Sequence, residues 1–373
     1  MNVTKNQHYI QARLLDQFTN ENGMIFEFLV DNVNKEPYPC RPDNAMSASF
    51  IYEDTSILKI NAIENAFADG IDAKLPKIVK DVIEQIKVVE KEGGELSAVR
   101  NTISQSLSLF LIGYYKSGAL LEEFSSDNDQ EKIKLMLRKI LDIDYINFLA
   151  NAINSFYRFA VIRSDDDFLI SDQYVSTVAL KIKSNFVEMS NRNMGLKETA
   201  ILIPLSSEYY VIYWHTDFNF IFQEQKINIV RGKIIENINR VIVNNAYKKC
   251  VGKKIDACKS MQKKYNYNST SVIFAKDFYF IKKKEVFWNE QEMTFWKSFK
   301  NHEPPDKFIE KRNNPCSCRS GKKFKKCHYG YEHWWNCLVQ TFDCKYPFIS
   351  ISKYINDYCI KGIPIIEGPI DQR

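Results

Sequence analysis

Cys316, Cys318, Cys327 and His328 lie within the fourteen residues Pro315–His328 and form a Cys₃His set. Three thiolates and an imidazole are a standard tetrahedral complement for zinc. Cys-x-Cys, an eight-residue gap and Cys-His place the donors as two close pairs at the ends of one loop. Four protein ligands leave no open coordination position, so the expected site is structural rather than hydrolytic. The loop has little apolar matter to fold around. Metal ligation, worth roughly 10–16 kcal/mol in small zinc domains, would then supply most of its order. Adjacent Cys327 and His328 can both face a metal only if a turn or helix start places them. His333 and Cys337 are the alternative donors.

The same loop carries Lys322, Lys323, Lys325 and Lys326 around Phe324, and Lys282, Lys283 and Lys284 form a second run upstream. Charges of this kind can neutralise phosphates, and aromatics between them can stack on bases. A lysine run can equally be a solvated face. Here the charge is localised: residues 1–247 hold 26 basic against 33 acidic residues, and residues 248–330 hold 21 against 8. That asymmetry points to an anionic partner, nucleic acid or an acidic protein, at one segment of the chain.

The elements that must carry these groups follow from periodicity. Met24–Val30 reads as a strand after the Asn22-Gly23 turn, and Pro37, Pro39 and Pro42 argue against regular structure over 35–43. Apolar residues at three- and four-residue steps from Ile63 to Ile86 predict a helix, kinked or divided at Pro76. Leu96–Lys116, Gln130–Leu141, Tyr145–Phe159, Val175–Met189 and Gly232–Cys250 read as further helices. Ala200–Leu205 and Tyr209–Trp214 read as a strand hairpin, and Ser271–Ala275 and Phe278–Ile281 as two more strands. The expected fold is α+β: a helix-dominated N-terminal domain with a small antiparallel sheet (1–250), a basic aromatic connecting region (251–305), a zinc knuckle (306–345) and an irregular tail (346–373).

The first eighteen residues lack the apolar core of a secretory signal, and the most apolar run, Leu107–Tyr115, is shorter than the roughly 20 residues a bilayer requires. An odd cysteine count, nine, with three at metal spacing fits a reducing compartment. The chain is expected to be soluble and cytoplasmic. Nucleotide-binding, nucleophile-elbow, zinc-protease and dinucleotide fingerprints are absent.

Two resemblances follow from the words themselves. Cys316, Cys318, Ser320, Gly321, Cys327 and His328 resemble the SEC-C motif, first named from the C-terminus of the bacterial preprotein translocase ATPase. Arg319 stands where that motif usually has Gly. The resemblance implies a zinc-binding appendage with no catalysis of its own. Asn6–Ile10 with Leu14, Leu15 and Phe18, Ile63-Glu64, Phe168–Asp172, Ile203–Ser206 and the Asn-containing helix Ile235–Tyr247 resemble a bacterial family known as domain of unknown function 4238. Gln11, Tyr174 and Ser207 stand where that family commonly has proline.

That second resemblance marks His8, Glu64 and Asp172. A histidine with two carboxylates can do acid/base work or hold a divalent ion for phosphodiester cleavage. Each also has a plain structural role open to it: His8 as a hydrogen-bonded histidine, Glu64 as a first-turn helix charge, Asp172 as an N-cap. The triplet Asp165–Asp167 reads as an exposed acidic turn. The leading expectation is a zinc-binding protein whose C-terminal module and basic segment hold an anionic macromolecule. The alternative is a metal-dependent, nuclease-like hydrolase, in the manner of a toxin or phage-defence effector, acting through His8, Glu64 and Asp172.

Overall fold

The computed structural model describes residues 6–49, 67–116, 143–180, 199–216, 218–266, 269–274, 277–286, 311–316, 321–326, 329 and 363–366. The predicted helix Gln130–Leu141, Glu64, and the side chains of Lys282–Lys284, Cys318, Cys327 and His328 lie outside what is described.

A polar face alternating with Leu75, Val79, Val82, Ile83 and Ile86 makes α2 (Leu75–Glu92) amphipathic, and those five residues are buried. Pro76 sits in its first turn, where no N–H is needed, and so starts the helix rather than kinking it. A five-residue π turn, Ala68–Asp72, precedes it. The helix stops at Gly93, whose φ of +75° suits glycine. α3 (Ser97–Tyr115) packs alongside and buries Val99, Ile103, Leu107, Phe110 and Tyr114. Among the described residues of the first half, the short α1 (Ala12–Leu15) and α4 (Ile143–Phe156) are the remaining α-helices.

Five strands form the larger sheet in the order β10 (Ile227–Val230), β5 (Tyr157–Ser164), β9 (Tyr209–His215), β8 (Thr199–Pro204) and β7 (Ser176–Ala179). β8 and β9 are the predicted antiparallel hairpin, with Ile203 opposite Val211. β10 joins β5 in parallel. The hairpin β12 (Ser269–Phe274) and β13 (Asp277–Val286) continues the sheet by pairing Val272 with Ala179. A four-stranded sheet has the order β3 (Tyr38–Cys40), β2 (Ile25–Leu29), β11 (Lys249–Gly252) and β6 (Ile170–Ser171). A third, two-stranded piece pairs β1 (Asn6–His8) with β4 (Ser47–Ser49). α5 (Lys233–Asn245) and α6 (Ile255–Gln262) follow β10 and β11.

The α+β class holds, with four corrections. Instead of one small antiparallel sheet there are two substantial ones, the larger containing two parallel pairs, β10–β5 and β12–β7. Val175–Met189 begins as strand β7, since a short apolar run reads equally as a buried strand or a helix. Lys35–Asp43 contains strand β3, tolerated because Pro39 lies on a sheet edge. The tail contributes β14 (Ile363–Ile366), antiparallel to β13. Residue 250 lies inside β11, and α6 packs against β2. There Gln262 Nε2 faces the carbonyls of Leu29, Asn32 and Lys35 at 2.8–3.0 Å. No helix among the described residues is long and apolar enough to cross a membrane.

Candidate metal centre and basic face

The segment that carries Cys316 and Phe324 is paired with itself through an antiparallel bridge. Pro315 bridges Lys323, the Cys316 N–H donates to the Lys322 carbonyl at 2.8 Å, and the Phe324 N–H donates to the Asn314 carbonyl at 2.8 Å. Gly321, at φ +74°, opens the returning strand in a conformation other residues rarely adopt. Among the described residues of this piece, two side chains are buried: Cys316 is 4% exposed and Phe324 is 2% exposed. Lys322, Lys323, Lys325 and Lys326 are all exposed around that phenyl ring.

A 3₁₀ turn, Phe324–Lys326, runs directly into Cys327-His328. The Tyr329 N–H closes the turn onto the Phe324 carbonyl at 3.1 Å. Apart from Phe324, residues 315–328 carry no large apolar side chain. The donor chemistry of Cys316, Cys318, Cys327 and His328 therefore fits a structural zinc ion.

The marked residues of the first 250 positions have different surroundings. His8 ends β1 opposite Ser47, with Nε2 3.1 Å from the Asp43 carbonyl. Asp172 is 1% exposed and accepts three backbone N–H groups, from Tyr247 at 2.7 Å, Lys248 at 2.8 Å and Lys249 at 2.9 Å. It thus secures the turn from α5 into β11, some 75 residues along the chain, and caps no following helix. Lys249 lies between the neighbourhoods of His8 and Asp172: its N–H donates to Asp172, and its Nζ donates at 3.0 Å to the carbonyl of Ser47, the residue opposite His8. Three backbone N–H groups converging on one buried carboxylate give Asp172 a structural role.

The carboxylate that sequence reasoning passed over is Glu27. It is 1% exposed and receives Tyr38 OH, the Met46 N–H at 2.6 Å and Lys249 Nζ at 3.1 Å. Burial and the Glu27 carboxylate push the Tyr38 phenol above its ordinary range. The same two causes push the Cys40 thiol up to about 11. A lone Glu inside the apolar run Ile25–Leu29 was the available signal. α5 was recognisable by its asparagines, but their role was not. Asn245 pairs both ways with the Thr177 backbone at 3.0–3.1 Å, and Asn239 bridges the Leu169 N–H and the Asp167 carbonyl.

Residues 6–256 match the family model described as protein of unknown function, DUF4238. The chain belongs to that family. Residues 312–330 match the SEC-C motif, which is typically metal-binding. No curated protein and no solved structure matches the chain. The DUF4238 segment runs from β1 into α6, so it includes every strand of the four-stranded sheet.

The three proline positions of the DUF4238 pattern now have physical content. Gln11 has φ −64°, which a proline would adopt, and uses its side chain to reach Asp72. Tyr174 has φ +64°, closed to proline, and donates its N–H to the Ser171 carbonyl. Ser207 donates its N–H to the Gln17 carbonyl at 3.1 Å, a bond proline cannot make.

Proposed function

We propose that this DUF4238 protein uses its SEC-C module as a zinc-ordered, basic docking element for nucleic acid. The observation that carries this reading is that Lys322, Lys323, Lys325 and Lys326, which flank the buried Phe324 in the chain, are all exposed. Residues 311–330 contain seven Lys or Arg and no Asp or Glu. A compact face of that composition lowers the local potential for phosphates, and nonspecific affinity follows from the counterions it displaces. The metal's part is to hold the hairpin; the lysines do the binding.

The test is fluorescence anisotropy of the full chain with a labelled oligonucleotide at rising salt. Binding should weaken steeply between about 50 and 200 mM salt. It should be lost when the four lysines are changed together to Glu, with zinc content unchanged. Absence of salt-sensitive binding would discard nucleic acid and leave an acidic protein as the partner to seek.

A further inference from the structure

We infer that Tyr329 is a stacking platform for an unpaired base, so that the ligand of the basic face is single-stranded nucleic acid. This deepens the nucleic-acid reading and rests on it. Tyr329 follows the Cys-His pair by one residue and is 50% exposed, although its backbone is fixed by the bond to Phe324. Its ring stands at 89° to the buried Phe324 ring, with centroids 5.8 Å apart. The Arg312 guanidinium lies 5.5 Å from its centroid. The ring is thus held on a rigid support, half open to solvent and next to a cation. Exposed lysines lie before it in sequence, on the same short hairpin.

A phosphate-binding face alone does not need an aromatic surface. A duplex hides the flat faces of its bases, whereas a single strand presents them for stacking on rings such as Tyr329. Arg312 can contribute to a phosphate and, over the ring, to cation–π attraction. The arrangement also predicts tolerance of base identity, since every base has a π-face.

The experiment compares a single-stranded oligonucleotide of about a dozen residues with its own duplex, on the full-length zinc-loaded chain. The single strand should bind more tightly. Tyr329→Leu, which keeps apolar contact with Phe324, should weaken single-strand binding about tenfold or more and leave duplex binding unchanged. Tyr329→Trp should retain or tighten it. Zinc content serves as the control for folding of the module. If salt-sensitive binding persists but Tyr329→Leu and Tyr329→Trp bind as the parent does, stacking is overturned while the basic face stands. Equal affinity for the duplex has the same meaning. If neither nucleic acid binds, both readings fall.

Discussion

Glu27 and Lys249 form an ion pair of 3.1 Å between neighbouring strands β2 and β11, with the carboxylate buried and the ammonium one-fifth exposed. The pair is not isolated. Lys249 also reaches the Ser47 carbonyl, and Glu27 also holds Tyr38 and the Met46 N–H. Glu27→Ala strands three donors at once and should cost about 3 kcal/mol, in the range for breaking a buried pair. Lys249→Met leaves the buried Glu27 carboxylate without its counter-charge and should cost at least as much. Urea midpoints of the two variants check this; a Lys249→Met variant as stable as the parent would show that the pair does not hold the sheet.

Asp172 should behave as a backbone fastener. Asp172→Asn keeps an acceptor of nearly the same shape and should cost about 1–2 kcal/mol; Asp172→Ala, which leaves three N–H groups unpaired, should cost more. His8→Gln, at a half-exposed position, should change stability little. Thermal unfolding of the three variants distinguishes this order from one in which His8 matters as much as Asp172.

The proline positions give a graded series. Gln11→Pro should be mild, because the backbone is already at the proline angle and only the contact to Asp72 is lost. Ser207→Pro removes a made hydrogen bond, and Tyr174→Pro demands a φ of opposite sign; each should cost roughly 3 kcal/mol or more. Circular-dichroism melts should rank Gln11 as the gentlest site. A severe Gln11→Pro would contradict the geometry.

Thiol labelling should separate two classes of cysteine. Burial raises the Cys258 thiol to about 12 and Cys250 well above its ordinary value, and burial with Glu27 raises Cys40. A raised thiol pKa leaves less of the reactive thiolate, so at about pH 8 these three should resist iodoacetamide in the native protein. A chelator should expose Cys316, Cys318 and Cys327 to the reagent while Cys40, Cys250 and Cys258 stay protected. Metal analysis should find one zinc per chain, lost in the Cys316→Ser, Cys318→Ser variant. A metal-free, fully ordered module would overturn the zinc assignment.

Legibility in the sequence followed the range of the interactions. The SEC-C match was legible because the residues that define it lie within fourteen positions. The β8–β9 hairpin and α2 were readable from local periodicity. β7 was misread because four residues, Ser176–Ala179, carry no decisive period, and its identity as a strand comes from pairing with β8. The role of Asp172 was hidden for a related reason. Its partners are 75 and more residues away, and an Asp before an apolar run looks the same whether it caps a helix or fastens a distant turn. Gln262, which gathers three carbonyls from the loop after β2, has no local signature at all.

The position of β11 between β2 and β6 has a consequence in time. β2 ends at Leu29 and its neighbour β11 begins at Lys249, so a growing chain makes one about 220 residues before the other. At ordinary synthesis rates of about 5–20 residues per second, that is a wait of roughly 10 to 45 s. Throughout it, the apolar strand Ile25–Leu29 has an open edge and Glu27 lacks its lysine. The four-stranded sheet therefore closes late, and the nascent protein spends that interval dependent on whatever shields an unfinished edge.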